Sequence, residues 1–531
     1  MRLAILAALA TPAVAATIES VAREGNRVLC KLDDGMAVLE WRSDSSFRFT
    51  RQWGEQARLA PATEVAAVQF QVGETPSEVK LTARHLVAHL TKNGVLVRTE
   101  EVDGTELMTD VTEAVQEGGV VRWERAAPLA ASYYGLGARA DGPVNVRGRR
   151  VEALKPFLIS SAGYGEYHVA PGRYTFDLAS ARTNRYGIEA RGADRVDYYF
   201  FYGPAPKEIL EQYVPVEGRI VRLAPAKFGV LRPNEAPKEM APPPKVAKGT
   251  WETLAAYVRW LVNGSLSGAV LSGFDLSPYL DAEPALRRRA LQLAAVMPIV
   301  LGPSADRLRG TVREKLAAYW LAYAEEARDR GFPLIHPVPM QYPSDQQGHK
   351  YDDQFLFGDE LLVAPILRPG NKRTLYLPMG IWINLRTNQA FQGRQVIEIE
   401  AADDELPLLS RNGALFPWGQ DPTELHYFPK LGGEFFIFEP DLLDYSQMHA
   451  APAGDVMRLQ IESKKPREYE WIVHHIPPPA RVVVREQAYR AVNDRGRLEH
   501  GAWFHDHARN NLHVRVRAAA GESYVANIYF P

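Results

Sequence analysis

A proline-rich stretch near the middle of the chain limits what the chain can fold into more than any other feature. Residues 231–249 contain Pro233, Pro237 and the run Pro242-Pro243-Pro244. Proline has no backbone N–H to donate and cannot serve in a central strand. We therefore predict that this stretch is a linker or a surface crossing between two parts of the chain, and not a buried strand.

Residues up to about 222 are predicted to be all-β. Val79 to Leu90 alternates apolar and polar side chains at period two, which is typical of a half-buried strand. Asn93-Gly94 follows and fits a type I′ hairpin turn. A β-sandwich is the expected arrangement for such a stretch.

Helices are predicted between the proline-rich stretch and about residue 330. Thr250 can cap one helix, and Pro284 can occupy the first turn of a second that runs to about Val296. Thr311 opens a capping-box sequence, and the third helix ends at Gly331. After this point many short apolar runs predict strands in one or two small β-domains.

The N-terminus and the composition indicate a secreted or periplasmic soluble protein. Leu3 to Ala10 is an apolar run too short to span a membrane, and Ala13-Val14-Ala15 fits a signal-peptide cleavage site. No later run is long enough to cross a membrane once the signal is removed. Cys30 is the only cysteine of the 531 residues, so no internal disulfide can form.

Charge and motifs exclude several classes of function. The formal net charge is −2, so no basic field attracts nucleic acid. No phosphate-binding loop, zinc-ligand spacing or nucleophile elbow is present. His505 with His507 and His474 with His475 are weak as metal ligands, because strand surfaces explain the first pair and the second points to opposite faces. We expect no cofactor and no metal.

An ordered series of motifs resembles glycoside hydrolase family 31. The motifs occur along most of the chain, in the order that the family has them: Tyr133–Arg139, Pro156–Ser160, Asp197–Pro204, Gly331–Pro337, Tyr342–Asp345, Asp353–Asp359, Leu361–Pro365, Tyr376–Trp382, Arg411–Pro417 and Phe435–Glu439. Ala138 replaces a Glu of the family, and His336 replaces an Arg.

The resemblance implies a multidomain α+β fold. After the predicted signal peptide at residues 1–16, it places an N-terminal β-sandwich at 17–222 and a truncated (β/α)8-type barrel remnant at 223–345, which includes the proline-rich bridge 231–249. A proximal C-terminal β-sandwich follows at 346–430 and a distal C-terminal β-domain at 431–531. A full barrel takes about 250 residues, and the remnant has about half of that. Its open sheet edges are costly unless covered, so an oligomer that covers them is one expectation.

Both carboxylates that the family uses are missing from their expected places. Retaining glycosidases need two carboxylates about 5–5.5 Å apart. Counting back from the helix that starts at Trp251, the acid/base position falls on Val246. Asn234-Glu235-Ala236-Pro237 echoes the family's nucleophile stretch, and on that alignment the nucleophile position is Arg232. A proline-rich linker also produces such a match by chance.

A few candidate site residues remain. Gly273-Phe274-Asp275-Leu276 resembles a family motif whose Asp and aromatic lie near the sugar, so Asp275 and Tyr279 are candidate substrate contacts. A helix cap or loop carboxylate explains Asp275 equally well. A sugar-binding Arg-x-His of the family is replaced by Leu301-Gly302-Pro303. Asp275, Glu235 and Asp345 are the candidate catalytic carboxylates.

Three hypotheses for function follow. The first is a catalytically impaired descendant of the α-glucosidase-type lineage that retains contact with an α-linked carbohydrate. The second is an active retaining α-glycosidase that uses displaced carboxylates such as Asp275, Glu235 or Asp345. The third is a structural or interaction protein without a sugar role. Hydrolysis of O-glycosyl bonds is thus implied by lineage only.

Overall fold

The computed structural model describes residues 15–54, 65–218, 222, 224–225, 228–238, 240–302, 308, 311–419 and 423–531. The predicted signal peptide lies outside these residues, apart from Ala15 and Ala16. The chain divides into two compact units. The first comprises residues 1–136 and 146–204, and the second comprises residues 137–145 and 205–531.

The first unit is built from strands, as the alternating apolar pattern predicts. They are β1 (Ile18–Glu24), β2 (Arg27–Leu32), β3 (Gly35–Ser43), β4 (Ser46–Trp53), β5 (Gln71–Glu74), β6 (Glu78–Thr82), β7 (Leu86–Thr91), β8 (Val97–Glu101), β9 (Glu106–Thr109), β10 (Val115–Glu117), β11 (Val120–Ala126), β12 (Tyr133–Gly135), β13 (Arg149–Glu152), β14 (Phe157–Ser160), β15 (Tyr164–His168), β16 (Arg173–Leu178), β17 (Arg185–Arg191) and β18 (Arg195–Tyr202).

These strands form three sheets around a shared core. The sheet orders are β1-β2-β3-β4-β18-β15-β14-β12, β10-β11-β17-β16-β13 and β5-β6-β7-β8-β9. Buried aromatic rings fill the core, and Phe47 stacks on Phe200 with ring centroids 5.1 Å apart. The predicted two-residue hairpin at Asn93-Gly94 is wrong, because β8 begins only at Val97 and Val95 occupies the left-handed region at φ 50°.

A network of buried charged groups lies inside the first unit. The Arg125 guanidinium is fully buried, donates to Asp110 at 2.8 Å and contacts the Glu166 carboxylate directly. Glu166 also accepts from the Tyr186 hydroxyl at 3.0 Å and lies 2.9 Å from His168 Nε2. Each charge therefore has a buried partner, as burial of ionised groups requires.

In its described residues, the second unit combines five α-helices with short strands. They are α1 (Pro206–Glu217), β19 (Gly229–Leu231), α2 (Trp251–Ser265), β20 (Gly273–Asp275), α3 (Pro284–Val296), β21 (Ile299–Leu301), α4 (Ala317–Arg330), β22 (Ile335–His336), α5 (Val338–Gln341), β23 (Phe355–Phe357), β24 (Leu361–Val363), β25 (Lys372–Leu377), β26 (Ile381–Asn384), β27 (Ala390–Gln392), β28 (Gln395–Glu400), β29 (Leu408–Arg411), β30 (Leu415–Trp418), β31 (Thr423–Tyr427), β32 (Gly433–Glu439), β33 (Asp444–Ala453), β34 (Val456–Ser463), β35 (Arg467–Val473), β36 (Arg481–Val484), β37 (Gln487–Ala488), β38 (Arg490–Val492), β39 (Ala502–Asp506), β40 (Asn511–Ala518) and β41 (Glu522–Tyr529).

Helix α1 corrects the prediction that the chain is all-β up to residue 222. Pro206 occupies its first turn, where a missing N–H costs nothing, and the Glu208 carboxylate accepts the Ala205 N–H at 3.0 Å. Ile209, Leu210 and Tyr213 are buried on one side of the helix. These residues have the spacing of an apolar helix face, so the sequence itself carries the signal for this helix.

The predicted helix starts near Thr250 and Pro284 are confirmed. The Thr250 hydroxyl accepts the Thr253 N–H at 3.2 Å, and Pro284 begins α3. The third start, at Thr311, is wrong, because a 3₁₀ turn over residues 312–315 precedes α4, which begins only at Ala317. Gly331 ends α4 in the left-handed conformation, at φ 75°.

A three-stranded parallel sheet, in the order β19-β21-β20, follows α1. Met240, Leu271, Ile299 and Leu301 form a small buried cluster against it. The proline-rich stretch is therefore more than a linker. Leu231 ends β19, and Ala241 pairs with Ser272 and donates its N–H to Leu271 O at 2.9 Å. Ala241 can do so because it is not itself a proline.

The C-terminal part of the second unit is again mostly sheet. Its sheet orders are β22-β23-β24-β29-β26-β27, β25-β28, β30-β31-β35-β40-β39-β38 and β32-β33-β34-β41-β36-β37. The β-rich, multidomain fold class is thus confirmed. None of the helices in the described ranges is both long enough and apolar enough to cross a membrane.

Candidate functional site

The carboxyl ends of the three parallel strands bring two predicted site regions, Asp275 and the segment after Leu231, to the same edge of the sheet. Asp275 ends β20, Leu231 ends β19, and both are in register with Leu301 of β21 between them. Strands in a sheet lie about 4.8 Å apart, so the backbones of Asp275 and Leu231 are about 10 Å apart. We call this edge the carboxyl edge.

Asp275 and Tyr279 lie on the same loop at the carboxyl edge but in different surroundings. The Asp275 carboxylate is partly exposed and accepts the Ser277 N–H at 3.0 Å. Tyr279 is only 1% exposed, and its hydroxyl donates to Thr253 Oγ1 at 3.1 Å. Its ring stacks on Phe274 with centroids 5.6 Å apart. Of the two predicted sugar contacts, Asp275 alone presents polar atoms at the surface.

Glu235 lies just beyond the end of β19, in a 3₁₀ turn over residues 233–235. Its exposed carboxylate accepts the Arg232 N–H at 2.9 Å, so it closes the turn. Arg232, at the aligned nucleophile position, is exposed, and Val246, at the aligned acid/base position, is half-buried. Neither position carries a group that can attack or protonate a glycosidic bond.

Asp345 lies on a different element from Asp275 and Glu235, in the loop after α5. Both of its oxygens lie 2.8 Å from the Tyr376 hydroxyl of β25, and Oδ1 also accepts the Gly348 N–H at 3.3 Å. These contacts hold the loop against the C-terminal sheets. These contacts explain why a carboxylate is present at position 345 without any catalytic role.

A cavity of about 350 Å³ lies at the opposite edge of the parallel sheet. It is lined by Phe228, Ser272 and Pro298, which immediately precede β19, β20 and β21. Arg222 and Glu325, 2.8 Å apart, stand among its otherwise mainly apolar lining. In (β/α) barrels the active site lies at the carboxyl ends of the strands. This cavity is therefore at the wrong edge for the chemistry predicted at Asp275.

A larger cleft of about 840 Å³, which we call the α4 cleft, was not foreseen from the sequence. Helix α4 forms one wall of the cleft. The β23–β24 turn, with Asp359 and Glu360, and strands β32 and β33 contribute the other lining residues. Burial and the neighbouring Asp359 charge raise the pKa of Glu360 to about 7. A perturbed carboxyl in a cleft marks a candidate functional site.

Metal binding has no support in the described ranges. They contain no group of three or more His, Cys, Asp or Glu side chains arranged to hold an ion. The His505 and His507 rings lie 4.7 Å apart, and His505 Nε2 bonds to the Ile476 carbonyl. His474 Nε2 lies 2.9 Å from His426 Nδ1, so these two rings bond to each other.

Comparison with known proteins identifies the lineage. The family model described as "Glycosyl hydrolase family 31 C-terminal domain" matches residues 331–416. The chain is 26% identical over 243 residues to Alpha-glucosidase 2 of Bacillus thermoamyloliquefaciens, a match that covers 40% of this chain and 30% of that protein. Together with the solved structures below, these matches support a member of glycoside hydrolase family 31, and the family model itself covers only residues 331–416. The Alpha-xylosidase of Saccharolobus solfataricus is 23% identical over 239 residues, covering 37% of this chain and 32% of the relative.

Solved structures share the fold over most of the chain. A dextranase of Flavobacterium johnsoniae complexed with glucose has a TM-score of 0.83 at 15% identity, covering 97% of this chain and 100% of that chain. A cycloalternan-forming enzyme from Listeria monocytogenes in complex with a pentasaccharide substrate has a TM-score of 0.82 at 14% identity, covering 97% and 77%. The matched parts of the first curated relatives are less than a third of their length.

Proposed function

We propose that this family 31 protein binds an α-linked carbohydrate and has lost the hydrolytic step of its α-glucosidase-type lineage. The observation that carries the proposal is the make-up of the carboxyl edge. Asp275 is its partly exposed carboxylate on a strand end, and the end of β19 leads into Arg232 and Pro233. Double displacement needs a nucleophile and an acid/base about 5–5.5 Å apart, and Arg232 can be neither.

The proposal also covers the origin of the parallel sheet, the export of the protein and its oligomeric state. The parallel sheet with α2 and α3 is taken as the remnant of a (β/α)8-type barrel. Export through the N-terminal segment and an oligomer that covers β19 or β20 are parts of the same proposal. The Ala241–Ser272 pair already covers one end of β20, so the open length to be covered is short.

An active retaining α-glycosidase is the second candidate. It is favoured by the positions of Asp275, the last residue of β20, and Glu235, which follows the carboxyl end of β19 in the same sheet. For this candidate, the Glu235 carboxylate must leave the Arg232 N–H and approach Asp275. A purely structural protein is the third candidate, and it predicts that no sugar binds at this edge.

Nitrophenyl α-glucoside and α-xyloside are expected to remain uncleaved by the full chain. We expect Asp275→Asn to weaken binding of glucose by roughly 10-fold or more, since a hydrogen bond to a charged group contributes about 1.5–3 kcal/mol. Asp281→Asn, on the exposed surface of the same loop, is the matched control and should leave binding unchanged. Calorimetry measures binding, and release of nitrophenol measures turnover.

The candidates give different outcomes in this experiment. Turnover that disappears in Asp275→Asn would establish the active enzyme and refute the loss of hydrolysis. Equal affinity of the wild type and Asp275→Asn for the sugar would remove Asp275 from the binding site. Absence of binding to any α-linked sugar tested would favour the structural protein.

A further inference from the structure

Glu360 presents a fixed hydrogen-bond acceptor in the α4 cleft. Its Oε2 accepts from the Tyr323 hydroxyl at 2.7 Å and shares the single proton of the Tyr319 hydroxyl, also at 2.7 Å, with the Phe357 carbonyl at 2.6 Å. Its Oε1 accepts from no donor among the described residues, although the residue is only 5% exposed and lines the cleft. The carboxyl plane is thus held by two tyrosines while one oxygen stays available.

The turn before Glu360 is built to allow this arrangement. Gly358 has φ 59°, and a Cβ there would collide with the Tyr319 hydroxyl and the Tyr323 ring. Glycine therefore lets the two rings approach the turn closely. The Asp359 N–H in turn donates to the Tyr323 hydroxyl at 2.7 Å. The acceptor in the cleft is preorganised by backbone and side chains together.

Arg411 supplies a donor beside this acceptor. Its Nε donates to Asp359 O at 2.6 Å and its Nη1 to Asn412 O at 3.3 Å. In the part of the chain that the structure describes, its Nη2 has no hydrogen-bond partner, and no carboxylate lies within 4.0 Å of the guanidinium. Asp359, which could have paired with it, is bound instead to Lys207 Nζ at 2.6 Å. The backbone N–H of Arg411 donates to Glu360 O at 3.1 Å, so the two residues are neighbours, and the Arg411 charge lowers the pKa of Glu360.

An apolar surface completes the cleft. Phe436 of β32 is 41% exposed, unusual for a ring on a strand, and meets His449 edge to face with centroids 6.0 Å apart. Both residues line the cleft, as do Gly432 and Gly433. An exposed ring beside polar groups is a common feature of ligand sites.

The polar groups of the cleft favour a neutral ligand that carries hydroxyls. The lining carboxylates Glu326, Asp329, Asp359, Glu360 and Glu434 outnumber the lining cations Arg330 and Arg411, so an anion is disfavoured. An ammonium group has no acceptor to offer Arg411. A hydroxyl can donate to Glu360 Oε1 and accept from Arg411 Nη2.

We propose that the α4 cleft is a second binding site, separate from the carboxyl edge, and that it takes a neutral saccharide. Saccharide hydroxyls bond to Glu360 Oε1 and Arg411 Nη2, and the C–H face of the sugar ring packs on Phe436. The cleft volume of about 840 Å³ accommodates more than one sugar unit. The proposal does not depend on binding at Asp275.

Isothermal titration of the full chain with isomaltotriose tests this site. Isomaltotriose itself is bound in the solved complex of a mutant Flavobacterium johnsoniae dextranase. Glu360→Gln, which keeps an acceptor for the tyrosines, and Phe436→Ala are each expected to weaken binding at least 10-fold. Leu442→Ala, an exposed residue of the β32–β33 turn outside the cleft lining, is the matched control and should bind like the wild type.

Asp275→Asn separates the two proposals. Loss of affinity in both cleft variants supports the α4 cleft whatever Asp275→Asn does, because the two sites are separate. Wild-type affinity in Glu360→Gln and Phe436→Ala overturns the cleft whatever Asp275→Asn does. Loss in Asp275→Asn alone overturns the cleft and supports the carboxyl edge. Absence of isomaltotriose binding to the wild type, or displacement of the sugar by n-butylammonium, also overturns the proposal.

Discussion

Arg125→Leu is expected to destabilise the first unit by about 3–5 kcal/mol, because it leaves a buried carboxylate without its cation. The guanidinium is fully buried, contacts Glu166 and donates to Asp110, and lies 4.6 Å from the centre of the Tyr198 ring. Burial alone would raise the pKa of Glu166, but the Arg125 charge and hydrogen bonds from His168 and Tyr186 hold it at about 2. Hydrogen exchange of the β11, β15 and β17 amides in the full chain measures this loss of stability.

Arg122→Leu on the same strand is the matched control. Arg122 is exposed and pairs with Glu189 at 3.1 Å, so its loss should cost less than about 1 kcal/mol. Adding Glu166→Gln to Arg125→Leu should recover part of the stability, since the unpaired buried charge is then removed. Equal exchange rates in Arg122→Leu and Arg125→Leu would contradict the role of the network.

The pH dependence of the wild type should carry the signature of Glu166. Its folded pKa of about 2 is below the ordinary 4.5, so the folded state binds this proton less readily than the unfolded state. The stabilisation is fully present above pH 4.5 and is lost as the pH falls through the folded pKa. Arg125→Leu should be less sensitive to acid over this range.

Sequence patterns predicted those parts of the fold that neighbouring residues decide. Thr250 and Pro284 mark helix starts through contacts within one turn, and alternation marked the strands of the first unit. Helix α1 carried the same kind of signal, with buried residues at helical spacing, and could have been found. Local patterns thus suffice for elements whose causes are local.

The polar sites could not be predicted in this way because distant segments assemble them. Tyr319 and Tyr323 lie four residues apart on α4, and this spacing lets both hydroxyls reach Glu360, 41 and 37 residues away. Arg125 and Glu166 are likewise 41 residues apart. At the carboxyl edge, residue type identified Asp275 and Tyr279 as a pair. In the structure Asp275 is partly exposed, whereas Tyr279 is buried.

The second large effect is expected from Glu360→Gln, which should stabilise the second unit above pH 7. Burial and the Asp359 charge raise the folded pKa of Glu360 from 4.5 to about 7, although Arg411 and the two tyrosines oppose this. Between these values the folded state holds a proton that the unfolded state has released, so wild-type stability falls as the pH rises. A pKa difference of this size corresponds to about 3 kcal/mol of folding stability lost by pH 8. Glutamine has no such proton and should show no such loss.

Thermal unfolding of both proteins between pH 5 and pH 8 measures this difference. The two unfolding temperatures should lie closest near pH 5 and separate as the pH rises, with the variant higher. Glu398→Gln on β28 removes an exposed carboxylate and should follow the wild type across the range. Parallel curves for the wild type and Glu360→Gln would mean that Glu360 is ionised throughout.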